Sequence, residues 1–155
     1  MANKILWMVE SGTTIMSTEL NNLAPGGLAV DGADYANATN LYTEASFLLY
    51  LDDFDAAPTA GDYMELHLFY KVDGTLYGDG EDGDLAGTPV PSGNTLVGVF
   101  PLDATDGNQS IQLMGVPLKP FDFKACIKHS GTAGSDLTAV DTHLLKIYPH
   151  NPEVQ

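Results

Sequence analysis

The sequence has no arginine: its six basic residues are all lysines, set against 21 acidic ones for a formal net charge of −15. A surface of that sign repels phosphate backbones and offers no guanidinium fork to grip them, so nucleic-acid binding is disfavoured, and anionic membranes are repelled too. Cysteine occurs once, at Cys126. One thiol makes no internal disulfide, and no cluster of histidines and cysteines surrounds it to build a metal site. Long apolar runs are also missing. The run ASFLLYL falls far short of the roughly 20 residues of a bilayer-spanning helix, and MANKILWMVE lacks the apolar region of a signal peptide, so neither insertion nor export is expected. No serine sits in a G-x-S-x-G context, and no glycine loop with a following lysine cradles phosphate. Neither an enzyme nor a cofactor is expected.

What the sequence does have is period-2 patterning. A chain of 155 residues suits one core, large enough to be stable without metal or disulfide. TEASFLLYLDD reads as a strand whose apolar centre, Phe47 to Leu51, suits a central place in a sheet. In YMELHLFYKVDG, Met64, Leu66, Leu68 and Tyr70 alternate with Glu65, His67, Phe69 and Lys71, which predicts a strand with one buried face. NTLVGVFPLDA and SIQLMGVPL are further strands, each ended by a proline. FDFKACIKHSG and THLLKIYPH read as a pair flanking a polar connection, and Pro149 with Pro152 reads as the stop of the last strand. Short strands separated by turns, with no helical periodicity between them, predict an all-β fold: an antiparallel β-sandwich, jelly-roll-like. Residues 31–155 are assigned to that sandwich. Residues 1–30, mixed in character and carrying the only tryptophan, Trp7, are assigned to an N-terminal arm or edge hairpin. Trp7 there needs burial, against its own sandwich or a neighbouring subunit.

Few residues offer chemistry. Asp79, Glu81, Asp82 and Asp84 cluster between glycines, but their spacing does not match a twelve-residue calcium loop, and a solvated loop is the expectation. Asp52, Asp53 and Asp55 end a strand and read as a turn. His67 and Glu65 share a strand face without a third ligand, so no metal is assigned. In FDFKACIKH, Phe121, Phe123, Ala125 and Ile127 share a core face, while Asp122, Lys124, Cys126 and Lys128 share the other. Those cations either meet an acidic patch on a second subunit or pair with acids across their own sheet.

The chain resembles, most visibly in its last third, a family of small virion proteins of tailed bacteriophages, the capsid decoration or cement proteins. The resemblance runs over about residues 41–153. It is carried by Leu118-Lys119-Pro120 before the strand Phe121 to Lys124, by the turn His129-Ser130-Gly131, and by the closing Leu145 to Glu153. Two details depart from the family pattern: the final element reads Tyr148-Pro149-His150-Asn151 where proline-tyrosine-asparagine is usual, and His129 stands where the turn usually has asparagine. The resemblance implies a β-sandwich bound to the outer surface of the capsid, with the major capsid protein as partner, assembled as a homo-oligomer with a trimer favoured. The N-terminal arm has no counterpart in that family; the capsid or intersubunit contact is expected there, on Ile5, Trp7 and Met8, with Lys124 and Lys128 on the cationic face of their strand as further contact residues. An adhesion module that binds carbohydrate is the competing expectation, and it requires an exposed aromatic platform, for which Tyr42, Tyr63, Tyr70 and Tyr77 are the candidates.

Overall fold

The computed structural model describes residues 5–9, 11–74, 76–78, 91–139 and 142–154. Among these, nine strands carry the fold: β1 (Ile5–Val9), β2 (Thr13–Met16), β3 (Leu28–Val30), β4 (Glu44–Leu51), β5 (Tyr63–Tyr70), β6 (Leu96–Pro101), β7 (Gln109–Pro117), β8 (Phe123–Ser130) and β9 (Leu144–Val154). Helix among the described residues is limited to a 3-10 turn at Thr18–Leu20 and one α-turn at Asn37–Asn40.

The strands form two antiparallel sheets. In sheet A, β2 and β1 lie in succession along one edge of β9, and β4 then β7 follow on its other side. Sheet B has the order β3-β8-β5-β6. The pairings nest: β2 with β9, β3 with β8, β4 with β7 and β5 with β6. One long hairpin has in effect been rolled up, and the pairs β4–β9 and β5–β8 close the roll into two sheets. This is the jelly-roll form of the antiparallel sandwich.

Alternation decides which side of each strand faces the other sheet. In β4, Ala45, Phe47, Leu49 and Leu51 are buried while Glu44, Ser46, Leu48 and Tyr50 are only half-buried. Met64, Leu66 and Leu68 from β5, Phe123, Ala125 and Ile127 from β8, and Leu145 and Ile147 from β9 meet them in one core. Each of the Phe, Leu, Ile and Met side chains among them contributes roughly 1.5–3 kcal/mol for its removal from water. Residues 16–29 join this core through Met16, Leu20, Leu23 and Ala29. Asn37, fully buried, ties the β3–β4 connection to the rest: its Nδ2 donates to the carbonyls of Tyr42 (3.1 Å) and Lys119 (2.7 Å), and its Oδ1 accepts from the Tyr42 amide (3.0 Å).

Two sequence expectations are corrected here. β8 and β9 are not paired with each other; they lie in opposite sheets, because their apolar faces meet across the core instead of side by side. The segment between them crosses the end of the sandwich, where Leu137 is buried and bridges to Phe54. Nor does β9 stop at its prolines. It runs through both, with Pro149 opposite Ala45 and Pro152 opposite Trp7. Pro149 falls in the gap between the β2 and β1 pairings, and at Pro152 β9 has passed the end of β4, so each proline lies where one side of the strand is unpaired. A missing N–H breaks no ladder bond on an unpaired side.

Candidate functional site

Three surfaces bear on function: the outer face of sheet B, the edge of sheet A, and the outer face of sheet A.

The outer face of sheet B is covered more than period-2 patterning predicts. His67 and Phe69 point away from the core yet are buried, Phe69 in a small second cluster with Tyr77 and Cys126. His67 is 2% exposed and bonded at both ring nitrogens, Nδ1 to Thr95 Oγ1 and Nε2 to Glu65 Oε2, each at 3.0 Å. A hydroxyl, an imidazole and a carboxylate in this order have the look of a nucleophile triad. Thr95 is only 3% exposed, however, and its Oγ1 donates to the Ser92 carbonyl (3.0 Å) while accepting from the Ser92 amide (3.1 Å). The oxygen is fully engaged, and the trio clamps the β5–β6 connection onto the sheet.

Glu65 also accepts from Lys128 Nζ (3.2 Å) and Ser130 Oγ (3.3 Å). Burial pushes its carboxyl upward, but the bonds from His67 and Lys128 outweigh it and hold the group below the usual carboxylate range. Lys124 lies 5.6 Å from the centre of the Tyr77 ring. Lys71 pairs with Asp34 at 2.9 Å, and the Tyr77 hydroxyl donates to the same carboxylate. Lys124 and Lys128 thus have partners within their own chain. Burial pushes the Cys126 thiol up to about 12, so it is not a thiolate at neutral pH.

The edge of sheet A is β1. Register places Ile5 opposite Val154, Trp7 opposite Pro152 and Met8 opposite Asn151. Among the described residues β1 pairs with β9 only.

The outer face of sheet A carries a groove of about 580 Å³ running across β7, β4 and β9. Cross-strand register builds it. Glu44 faces His150, Ser46 faces Tyr148 and Leu48 faces Gln112. Opposite Ser46 the register shifts, so that Met114 and Gly115 together span one position of β4. Gly115 adopts φ +66°, left-handed backbone that glycine accepts without strain, and this bulge turns Met114 outward to 78% exposure. On the far side the Tyr148 ring packs on Gly12, where a Cβ would come within 2.8 Å of three ring carbons. His150 Nδ1 approaches Glu44 Oε2 at 3.8 Å.

Several sequence candidates are placed elsewhere. The four tyrosines proposed as a platform do not form one: Tyr70 and Tyr77 are buried, Tyr42 packs against the core, and Tyr63 alone is exposed, on β5. Tyr50 and Tyr148, which alternation puts on the outer face of sheet A, were the aromatic signal to follow. The cluster Asp79, Glu81, Asp82 and Asp84 lies outside the described residues. Asp52 is a turn ligand, accepting from the Tyr50 hydroxyl (3.2 Å), Asn108 (3.2 Å) and the Thr142 amide (3.2 Å). Among the described residues no three histidine, cysteine or acidic side chains come together as a metal site.

No protein-family model matches the chain, and no curated protein matches it significantly.

Proposed function

We propose that this chain is a structural protein of a bacteriophage virion, a decoration protein that adheres to the outside of the head and bridges capsid subunits. The observation that carries the reading is the position of β1. Its sequence, ILWMV, is apolar throughout and lies on the outer edge of sheet A. An edge strand presents a row of backbone donors and acceptors, and natural edges are protected by lysine, proline or an inward charge. β1 has none of these. A strand from a neighbouring subunit or from the major capsid protein, added alongside, satisfies that row and brings Ile5, Trp7 and Met8 into the interface. The jelly roll is a fold that shell proteins use, and a net charge of −15 keeps decorated particles apart by repulsion. The mechanism is mechanical: the interface buried between copies and capsid opposes separation of capsid subunits under internal DNA pressure.

Sedimentation equilibrium and a cryo-electron reconstruction of the parent virion test the proposal. The expected results are a symmetric oligomer, a trimer by preference, and density for this chain on the head. Trp7→Lys and Met8→Lys are expected to give folded monomers that no longer bind heads. Monomers at high concentration together with virions bare of this chain would overturn the reading.

A further inference from the structure

We propose that the groove on the outer face of sheet A is a binding site for a short, uncharged saccharide. The inference does not depend on the virion reading and concerns a different surface from the β1 edge.

Size comes first. About 580 Å³ lies within the roughly 300–1,000 Å³ typical of small-molecule sites. The lining is the second consideration. Leu48 forms an apolar floor, Met114 an apolar wall and Tyr148 an aromatic one, while Glu44, Ser46 and Gln112 supply a carboxylate, a hydroxyl and an amide around them. Sugars present exactly the complementary pair of surfaces: a C–H face that packs on apolar and aromatic groups, and a rim of hydroxyls that both donate and accept. A purely apolar ligand, such as an acyl chain or an aliphatic peptide, covers those rim groups and offers them no polar partner. Charge then narrows the class. The Glu44 carboxylate, the one acidic group in a lining that also holds His150, and the chain's net charge of −15 repel phosphate, sulfate and carboxylate substituents, whereas that carboxylate accepts readily from neutral hydroxyls.

The site is also organised in advance. Every lining residue is on a strand, three strands converge, and the Met114–Gly115 bulge and the Gly12 contact on Tyr148 fix the two walls. Bulges are frequent beside binding sites because they re-aim a side chain.

The test is a titration of the ¹⁵N-labelled full chain, followed by amide shifts, with glucose, galactose, mannose, N-acetylglucosamine and their β- and α-linked dimers. Saturable shifts confined to the amides around Ser46, Leu48, Gln112, Met114 and Tyr148 are expected for at least one sugar. Gln112→Ala and Met114→Ala, both at exposed positions, are expected to weaken that binding about tenfold, and Tyr63→Ala on the opposite sheet to leave it unchanged. No saturable shift with any of these sugars overturns the proposal. So does binding that survives both substitutions, or a preference for glucuronate or sialic acid over every neutral sugar. Decyl maltoside monomers that bind through their alkyl end, with maltose inert, count against it equally.

Discussion

At the scale of single residues, burial sets the response to pH. His129 is fully buried, its Nδ1–H donates to the Leu23 carbonyl at 3.3 Å, and its Nε2 has no hydrogen-bond partner among the described residues. Burial lowers its affinity for a proton below the ordinary value of 6.5, against smaller opposing effects of the Leu23 carbonyl, Asp62 and Asp136. The unfolded chain therefore takes up the proton first, so the stability from this residue is complete above about pH 6.5 and is lost as pH falls below it. Glu65 and Asp34 are held below their ordinary values despite burial, by His67 with Lys128 and by Tyr77 with Lys71, and Asp62 by the amides of Thr132 and Thr59. They add a second loss at lower pH, as they become protonated. Asp31 acts in the opposite sense, since burial raises its carboxyl. Thermal melts followed by circular dichroism are expected to show a midpoint that declines from pH 7 to pH 5; His129→Gln, less stable throughout, should flatten the decline. A second residue-scale expectation concerns Gly12. In Gly12→Ala the new methyl must displace the Tyr148 ring, at a cost of about 1–3 kcal/mol in urea unfolding. Neither residue announces itself in the sequence. A histidine in KACIKHS is as compatible with a turn as with the core, and only the fold brings residue 12 against residue 148.

At the scale of elements, alternation was legible wherever a strand faces the core and water on its two sides. β4 shows this most directly. Phe47→Ala is expected to cost about 3–5 kcal/mol, and Leu48→Ala, one residue away on the other face, about 1 kcal/mol, as read by chemical denaturation. β5 was half legible: Met64, Leu66 and Leu68 were assigned to the core, but burial of His67 and Phe69 depends on the connection folded over them, including Tyr77 and Thr95, which no local pattern reveals. β9 was misread at its end, because proline is compatible with a strand only where one flank is open, and that depends on which neighbours stop short. The groove escaped notice for a related reason. Glu44, Gln112 and His150 are polar residues at outward positions, as on any solvated sheet, and what makes them a site is register plus one bulge. Gly115→Val, which forces a branched side chain to φ +66°, is expected to cost about 1–3 kcal/mol and to turn Met114 from the groove, measurable as a lost amide shift pattern at Gln112 and Ser46.

For the whole molecule, patterning foretold the fold class but not the wiring. Apolar alternation at nearly every strand, with turn residues between, leads to a sandwich; the nested pairing order follows from long-range partners that a linear reading cannot rank. The charge, by contrast, is a property of the whole and needs no structure. With 21 acidic residues against six basic, self-repulsion opposes the compact state, and sodium chloride screens it. The unfolding midpoint is expected to rise between low salt and about 0.15 M, where the screening length is about 8 Å. A midpoint independent of salt would show that local pairs such as Lys71 with Asp34 already cancel the field.

The rolled-hairpin wiring has a temporal consequence. β2 must wait for β9, and β3 for β8, so the sheets close only after β8 and β9 have emerged from the ribosome. Chain-spanning contacts of this kind are slow to nucleate, on the order of milliseconds to seconds, and until they form the faces of β4 and β5 stay open to other unfinished chains. The yield of native protein should then depend on synthesis rate and temperature more than on the depth of the native energy well, with slower, cooler expression recovering material that rapid expression loses to aggregates.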